Sequence, residues 1–108
     1  MSNDTRADDV TVRDDPDRHR FVATLDGEDV GFLVYHRAQG RHLLVHTEVD
    51  DAYEGQGVGS ALVRGALDHL REAGASMVPL CPYVRSWLSR HEDYQPLVYE
   101  ELDTLLRP

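Results

Sequence analysis

The chain has 108 residues, 41% of them apolar and 29% charged, enough for one hydrophobic core, too few for two, and too rich in core formers for a wholly disordered chain. Twenty acidic side chains against eleven basic ones give a formal charge of -9, which disfavours the phosphate backbone of nucleic acid as a partner. Apolar runs such as Leu43-Leu44-Val45 are far short of a membrane span, no apolar leader begins the chain, and the single cysteine, Cys81, allows neither an internal disulfide nor a thiol cluster for zinc; the expectation is a cytoplasmic protein with no bound metal.

Met1 to Asp9 are almost without apolar side chains, the pattern of a disordered terminus, and one domain is expected over 10–108. Val10 and Val12 suit a short edge strand, with a turn at Arg13-Asp14-Asp15-Pro16-Asp17, since Asp and Pro favour turn geometry. A strand over Arg20 to Leu25 leads through Asp26-Gly27-Glu28-Asp29 into a hairpin partner, Val30 to Tyr35. Val30, Phe32 and Val34 fall on one face of that partner and Leu33 and Tyr35 on the other, so it is expected to be central and covered on both sides. After a turn at Gln39-Gly40, strict alternation over Arg41 to Val49 places Leu43, Val45, Thr47 and Val49 on one face. The other face presents His42, Leu44, His46 and Glu48 in a row, with His42 expected toward solvent.

The loop Glu54-Gly55-Gln56-Gly57-Val58-Gly59-Ser60 then opens a helix whose apolar positions Val58, Ala61, Leu62, Ala66, Leu70 and Ala73 keep the helical period, with Gly74 as its stop. Ser76 to Leu80 reads as a strand, and Pro82 suits the first turn of a short helix that carries Trp87 and Leu88 and places Cys81 at its N-cap. Asp93-Tyr94-Gln95-Pro96 marks a turn, and Leu97 to Leu106 suits either a last strand or a last helix. These elements predict an α/β (α+β) domain with a mixed, mainly antiparallel sheet flanked by two principal helices.

Strand, glycine-rich turn and helix in that order bring backbone N–H groups and the positive end of a helix dipole to one place, where phosphate binds. The spacing fits neither a P-loop, since no lysine follows the last glycine, nor the dinucleotide fingerprint. By itself the loop is read equally well as a phosphate cradle or as a plain turn. Gly57-Val58-Gly59-Ser60-Ala61-Leu62, preceded by Val49 and a short acidic loop, resembles the CoA motif of the GNAT acetyltransferases. His46-Thr47-Glu48-Val49 and Cys81-Pro82-Tyr83-Val84 extend the likeness to a compact subgroup of similar length, over about Phe21 to Tyr94. One position departs from the motif: Glu54 stands where an arginine or glutamine is usual, an anion beside the pyrophosphate.

The resemblance implies acetyl-CoA as co-substrate and an amine, small molecule or protein lysine, as acceptor. It assigns the backbone N–H groups of Gln56, Gly57, Val58, Gly59 and Ser60 to the pyrophosphate and the main chain of Val49 to the pantetheine arm. Acetyl transfer needs a base, an acid for the leaving thiolate and donors for the oxyanion. Glu48, one residue before Val49, is the first candidate base, against the alternative of a carboxylate paired with an arginine. His46 is the second, because imidazoles as a class titrate near neutrality. Cys81 at a helix N-terminus suits a thiolate nucleophile, or simply a small buried residue. Tyr83 could donate to the thiolate, but its spacing from Trp87 favours packing of the two rings. The expected activity is N-acetyl transfer; the rival readings are a module that holds CoA without turnover and an interaction domain with no ligand.

Overall fold

The computed structural model describes residues 6–99, so 1–5 and 100–108, including most of the proposed last element, lie outside it. Five strands form one sheet in sequence order: β1 (Thr11–Asp15), β2 (Arg20–Leu25), β3 (Glu28–Ala38), β4 (Arg41–Val49) and β5 (Met77–Pro79). The first four pair antiparallel. β5 runs parallel to β4, as a strand returning through a helical crossover must. That crossover is α1 (Val58–Glu72), and α2 (Pro82–Ser89) follows β5 before a 3₁₀ turn over Glu92–Leu97.

The two hairpins are tight because Asp26-Gly27 and Gln39-Gly40 both take positive φ at each residue, the conformation whose twist matches the flanking strands. α1 buries Val58, Leu62, Val63, Ala66, Leu67 and Leu70 on one face of the sheet, and each larger side chain among them contributes about 1.5–3 kcal/mol. α2 adds Val84, Trp87 and Leu88 to the same core, which also takes in Phe21, Ala23, Leu33, Tyr35 and Leu44.

Several expectations are corrected. Arg6 to Asp9 are ordered, not frayed: Ala7–Asp9 form a 3₁₀ turn, Arg6 donates its N–H to the Gln56 carbonyl at 2.8 Å, and its guanidinium grips Asp26 at 2.8 and 3.0 Å. Arg13 to Asp15, expected in a turn, complete β1 against Arg20 to Val22, and the turn begins at Pro16. Among the described residues β3 is not covered twice, because α1 and α2 both lie on the face of Leu33 and Tyr35 and leave Phe32 and Val34 half-buried on the other.

The correction that matters most lies in β4. Val34 pairs with His46 but Tyr35 pairs with Leu44, so Val45 is an extra residue, a β-bulge. A one-residue insertion exchanges the faces beyond it. His42 and Leu44 therefore share the helix-covered face with Thr47 and Val49, which stand opposite Leu33 and Gly31. His46 and Glu48 turn to the uncovered face, opposite Val34 and Phe32. His42, expected toward solvent, is 8% exposed between Tyr35 and Phe21, with ring centroids 4.8 and 6.4 Å away.

Candidate functional site

β4 and β5 stay together only from His42 to Leu44. The Leu44 carbonyl accepts the N–H groups of both Leu80 and Cys81, at 2.9 and 2.8 Å, and turns the chain into α2; beyond it the strands part. The gap holds a cavity of about 540 Å³ lined by Thr47, Val49, Tyr53, Glu54, Gly55, Gly57, Val58, Gly59, Ser60 and Tyr83. Its volume is in the range of small-molecule sites.

The glycine loop forms one end. Gly57, with φ of +81°, is the N-cap of α1, a conformation open to glycine but strained for other residues. The first N–H bonded within the helix is that of Ala61, to the Gly57 carbonyl, so helix geometry leaves the N–H groups of Val58, Gly59 and Ser60 without a helical acceptor. The Ser60 hydroxyl is held by the buried indole N–H of Trp87 at 2.8 Å. Of the expected donors, Gln56 is the exception: its N–H goes to the Tyr53 carbonyl at 3.3 Å, its side chain to the Ala52 carbonyl, and it does not line the cavity. Glu54 does line it, beside Gly55 and Gly57.

The expected catalytic residues fall into two groups on opposite faces of β4. His46 Nε2 and Glu48 Oε1 are 3.2 Å apart, both side chains more than half exposed. Cys81 is buried on the covered face, at the N-cap of α2, where its sulfur shares a 3.4 Å hydrogen bond with the Thr47 hydroxyl. Burial pushes the thiol up, but the Thr47 hydroxyl and the backbone N–H groups of Val84, Tyr83 and Thr47 outweigh it and bring it below the ordinary thiol value. No triad forms among the three.

Tyr83 does not pack on Trp87. Trp87 stacks on His91, centroids 3.7 Å apart, while Tyr83 is 42% exposed and lies over the start of α1. A Cβ at Gly59 would meet its hydroxyl at 2.6 Å. Burial raises the phenol pKa, Arg90 opposing and Cys81 adding, so Tyr83 keeps its proton at neutral pH. Thr47 and Tyr53 also line the cleft and were not singled out in the sequence; the His46-Thr47-Glu48-Val49 segment was the signal that could have pointed to Thr47.

A five-stranded sheet that splits beside a glycine-capped helix is an α+β fold of the acetyltransferase type. Residues 20–97 match the family described as GCN5-related N-acetyl-transferase, and the chain belongs to that family. Vertebrate proteins named NATD1, from Gallus gallus, Mus musculus and Homo sapiens, are each 32% identical to it over 84 residues, covering 76% of this chain and 74–76% of theirs. The solution structure of a GCN5-like protein from Staphylococcus aureus superposes with a TM-score of 0.62 at 20% identity, over 84% of this chain and 89% of that one. The ribosomal-protein-alanine N-acetyltransferase of Brucella melitensis biovar Abortus 2308 gives 0.50 at 23% identity, over 74% of this chain and 60% of its own length. At those identities both likenesses speak for the fold.

Proposed function

We propose that this protein is an N-acetyltransferase that draws its acetyl group from acetyl-CoA. The observation that carries the reading is the single cavity that joins the N–H groups at the start of α1 to the parted edge of β4 under the Tyr83 phenol. Val58, Gly59 and Ser60 would hold the pyrophosphate, and the main chain around Val49 the pantetheine arm. In the transfer a carbon–nitrogen bond forms between the acceptor amine and the acetyl carbon as the carbon–sulfur bond breaks. Glu48, directly or through water and with His46 beside it, takes the proton from nitrogen, and the Tyr83 phenol gives one to the leaving sulfur.

The placement of Glu48 supports a second reading, binding without turnover, because its side chain turns to the face of β4 away from the cleft and does not line it. Calorimetric titration with acetyl-CoA, followed by thiol release in an amine panel, separates the two. Gly57→Arg, which fills the cradle and strains a positive-φ position, is expected to abolish binding; wild-type affinity in that variant would overturn both readings.

A further inference from the structure

Val49 lines a second cavity as well as the cleft. This one, of about 390 Å³, opens on the sheet face that carries no helix among the described residues, where Arg20, Val22, Asp29, Phe32, Glu48 and Asp51 form most of its wall. Its floor is apolar. Val22 stands on the uncovered face, opposite Phe32 and Arg13, yet is only 1% exposed. Phe32 beside it already carries one cation, with the Arg20 guanidinium carbon 5.0 Å from the ring centroid.

The sides are acidic, and three of the four carboxylates are held by a neighbour. Asp29 accepts from Arg13 at 3.1 and 3.3 Å, and that guanidinium keeps its carboxyl below the usual range. Asp50 caps the Ala52 N–H at 3.0 Å, and Glu48 lies against His46. With Asp51, four carboxylates stand in the lining against the single guanidinium of Arg20, which itself lies 3.8 Å from Asp15 outside it, and even with Arg13 counted at least two negative charges remain in excess. An anionic acceptor would be repelled, a neutral one would leave the excess uncompensated, and a monoamine would meet only part of it. The volume suits a small molecule.

We propose, resting on the acetyl-transfer reading above, that this cavity holds the acceptor and that the acceptor is a small di- or polyamine. One nitrogen, neutral when it attacks, approaches the thioester past Val49 beside Glu48, while the remaining ammonium groups meet Phe32 and the Asp29 and Asp51 carboxylates. The products are the mono-N-acetylated polyamine and free CoA thiol, with the amine proton passing to Glu48.

The test is thiol-release kinetics at saturating acetyl-CoA with spermidine, butane-1,4-diamine, n-butylamine and a lysine-containing peptide as acceptors. Asp51→Asn is expected to raise KM for spermidine about 5-fold, the upper range for one partly exposed charge pair, and Arg20→Gln to lower it by a similar factor. Both move the n-butylamine KM less than the spermidine KM, and neither changes the calorimetric affinity for acetyl-CoA. Equal use of spermidine and n-butylamine, preference for the peptide, or KM values that ignore both substitutions would overturn the proposal. Failure of acetyl-CoA to bind at all would instead overturn the transfer reading beneath it.

Discussion

Gly59→Ala is the substitution that most cleanly separates fold from chemistry. Gly59 is the second residue of α1, and alanine in a helix is favoured over glycine by up to about 1 kcal/mol. Against this, the new Cβ meets the Tyr83 hydroxyl at 2.6 Å and its Cζ at 3.1 Å. The obstruction is the far end of a ring that is 42% exposed, and retreat by about 1 Å restores ordinary contact distances at little cost. The thermal midpoint should therefore hold or rise by up to about 5 °C. Activity should fall. A positioned general acid contributes about 10²–10⁴ in rate, and a displaced phenol forfeits part of it, so kcat is expected to drop at least about 10-fold. Tyr83→Phe, which keeps the ring but loses the proton, should lower kcat with unchanged acetyl-CoA affinity, and the double variant should be no worse than the poorer single one, because both act on one group. Differential scanning fluorimetry, calorimetry and thiol-release kinetics give the three readouts. Full kcat in either single variant would show that Tyr83 is a wall of the cleft and not its proton donor.

The two faces of β4 make separate claims. Glu48→Gln is expected to lower kcat/KM about 10²-fold and shift its pH profile, as loss of a general base does, while Cys81→Ala leaves direct transfer largely intact; the reverse pattern, with an acetyl adduct on Cys81 by intact mass, would establish a covalent route. His42 predicts acid sensitivity of the fold. Burial, helped by the Arg37 guanidinium and opposed by Asp14, lowers its pKa below 6.5, and its Nδ1 has no hydrogen-bond partner among the described residues. The unfolded chain thus binds that proton more readily, so stability is full above the unfolded value of about 6.5 and declines as pH falls through the folded one. Denaturant titrations from pH 5 to 8 should show this slope in the wild type and a shallower one in His42→Leu; equal slopes would remove His42 as the cause.

Elements governed by local rules were legible in the sequence. Asp26-Gly27 and Gln39-Gly40 announce their hairpins because few residues tolerate positive φ at both turn positions, and α1 declares itself by its period and its stop at Gly74. The glycine turn that opens α1 was legible for the same reason, Gly55 and Gly57 both taking positive φ. What could not be read depends on neighbours distant in sequence. Tyr83 and Trp87 keep the spacing of a packed pair, yet the start of α1 takes Tyr83 and His91 takes Trp87. Arg6 sits in a stretch almost without apolar side chains and is ordered by partners 20 and 50 residues away.

The bulge at Val45 has the largest consequences for the site. Alternation cannot reveal an inserted residue where Leu43, Leu44 and Val45 are all apolar and either face accepts them. Without the bulge, Thr47 and Val49 would point away from the helices, and His46 and Glu48 would lie beneath α1 and α2. With it, one short strand serves both cavities: Thr47, bonded to the buried Cys81, lines the cleft that faces the glycine loop, and Glu48 and His46 stand on the open face beside Phe32. On the proposed reading the acyl donor and the acceptor approach from opposite sides of β4 and meet at Val49, the residue that lines both. The face that carries no helix among the described residues is, on that reading, the one that offers the acceptor its room.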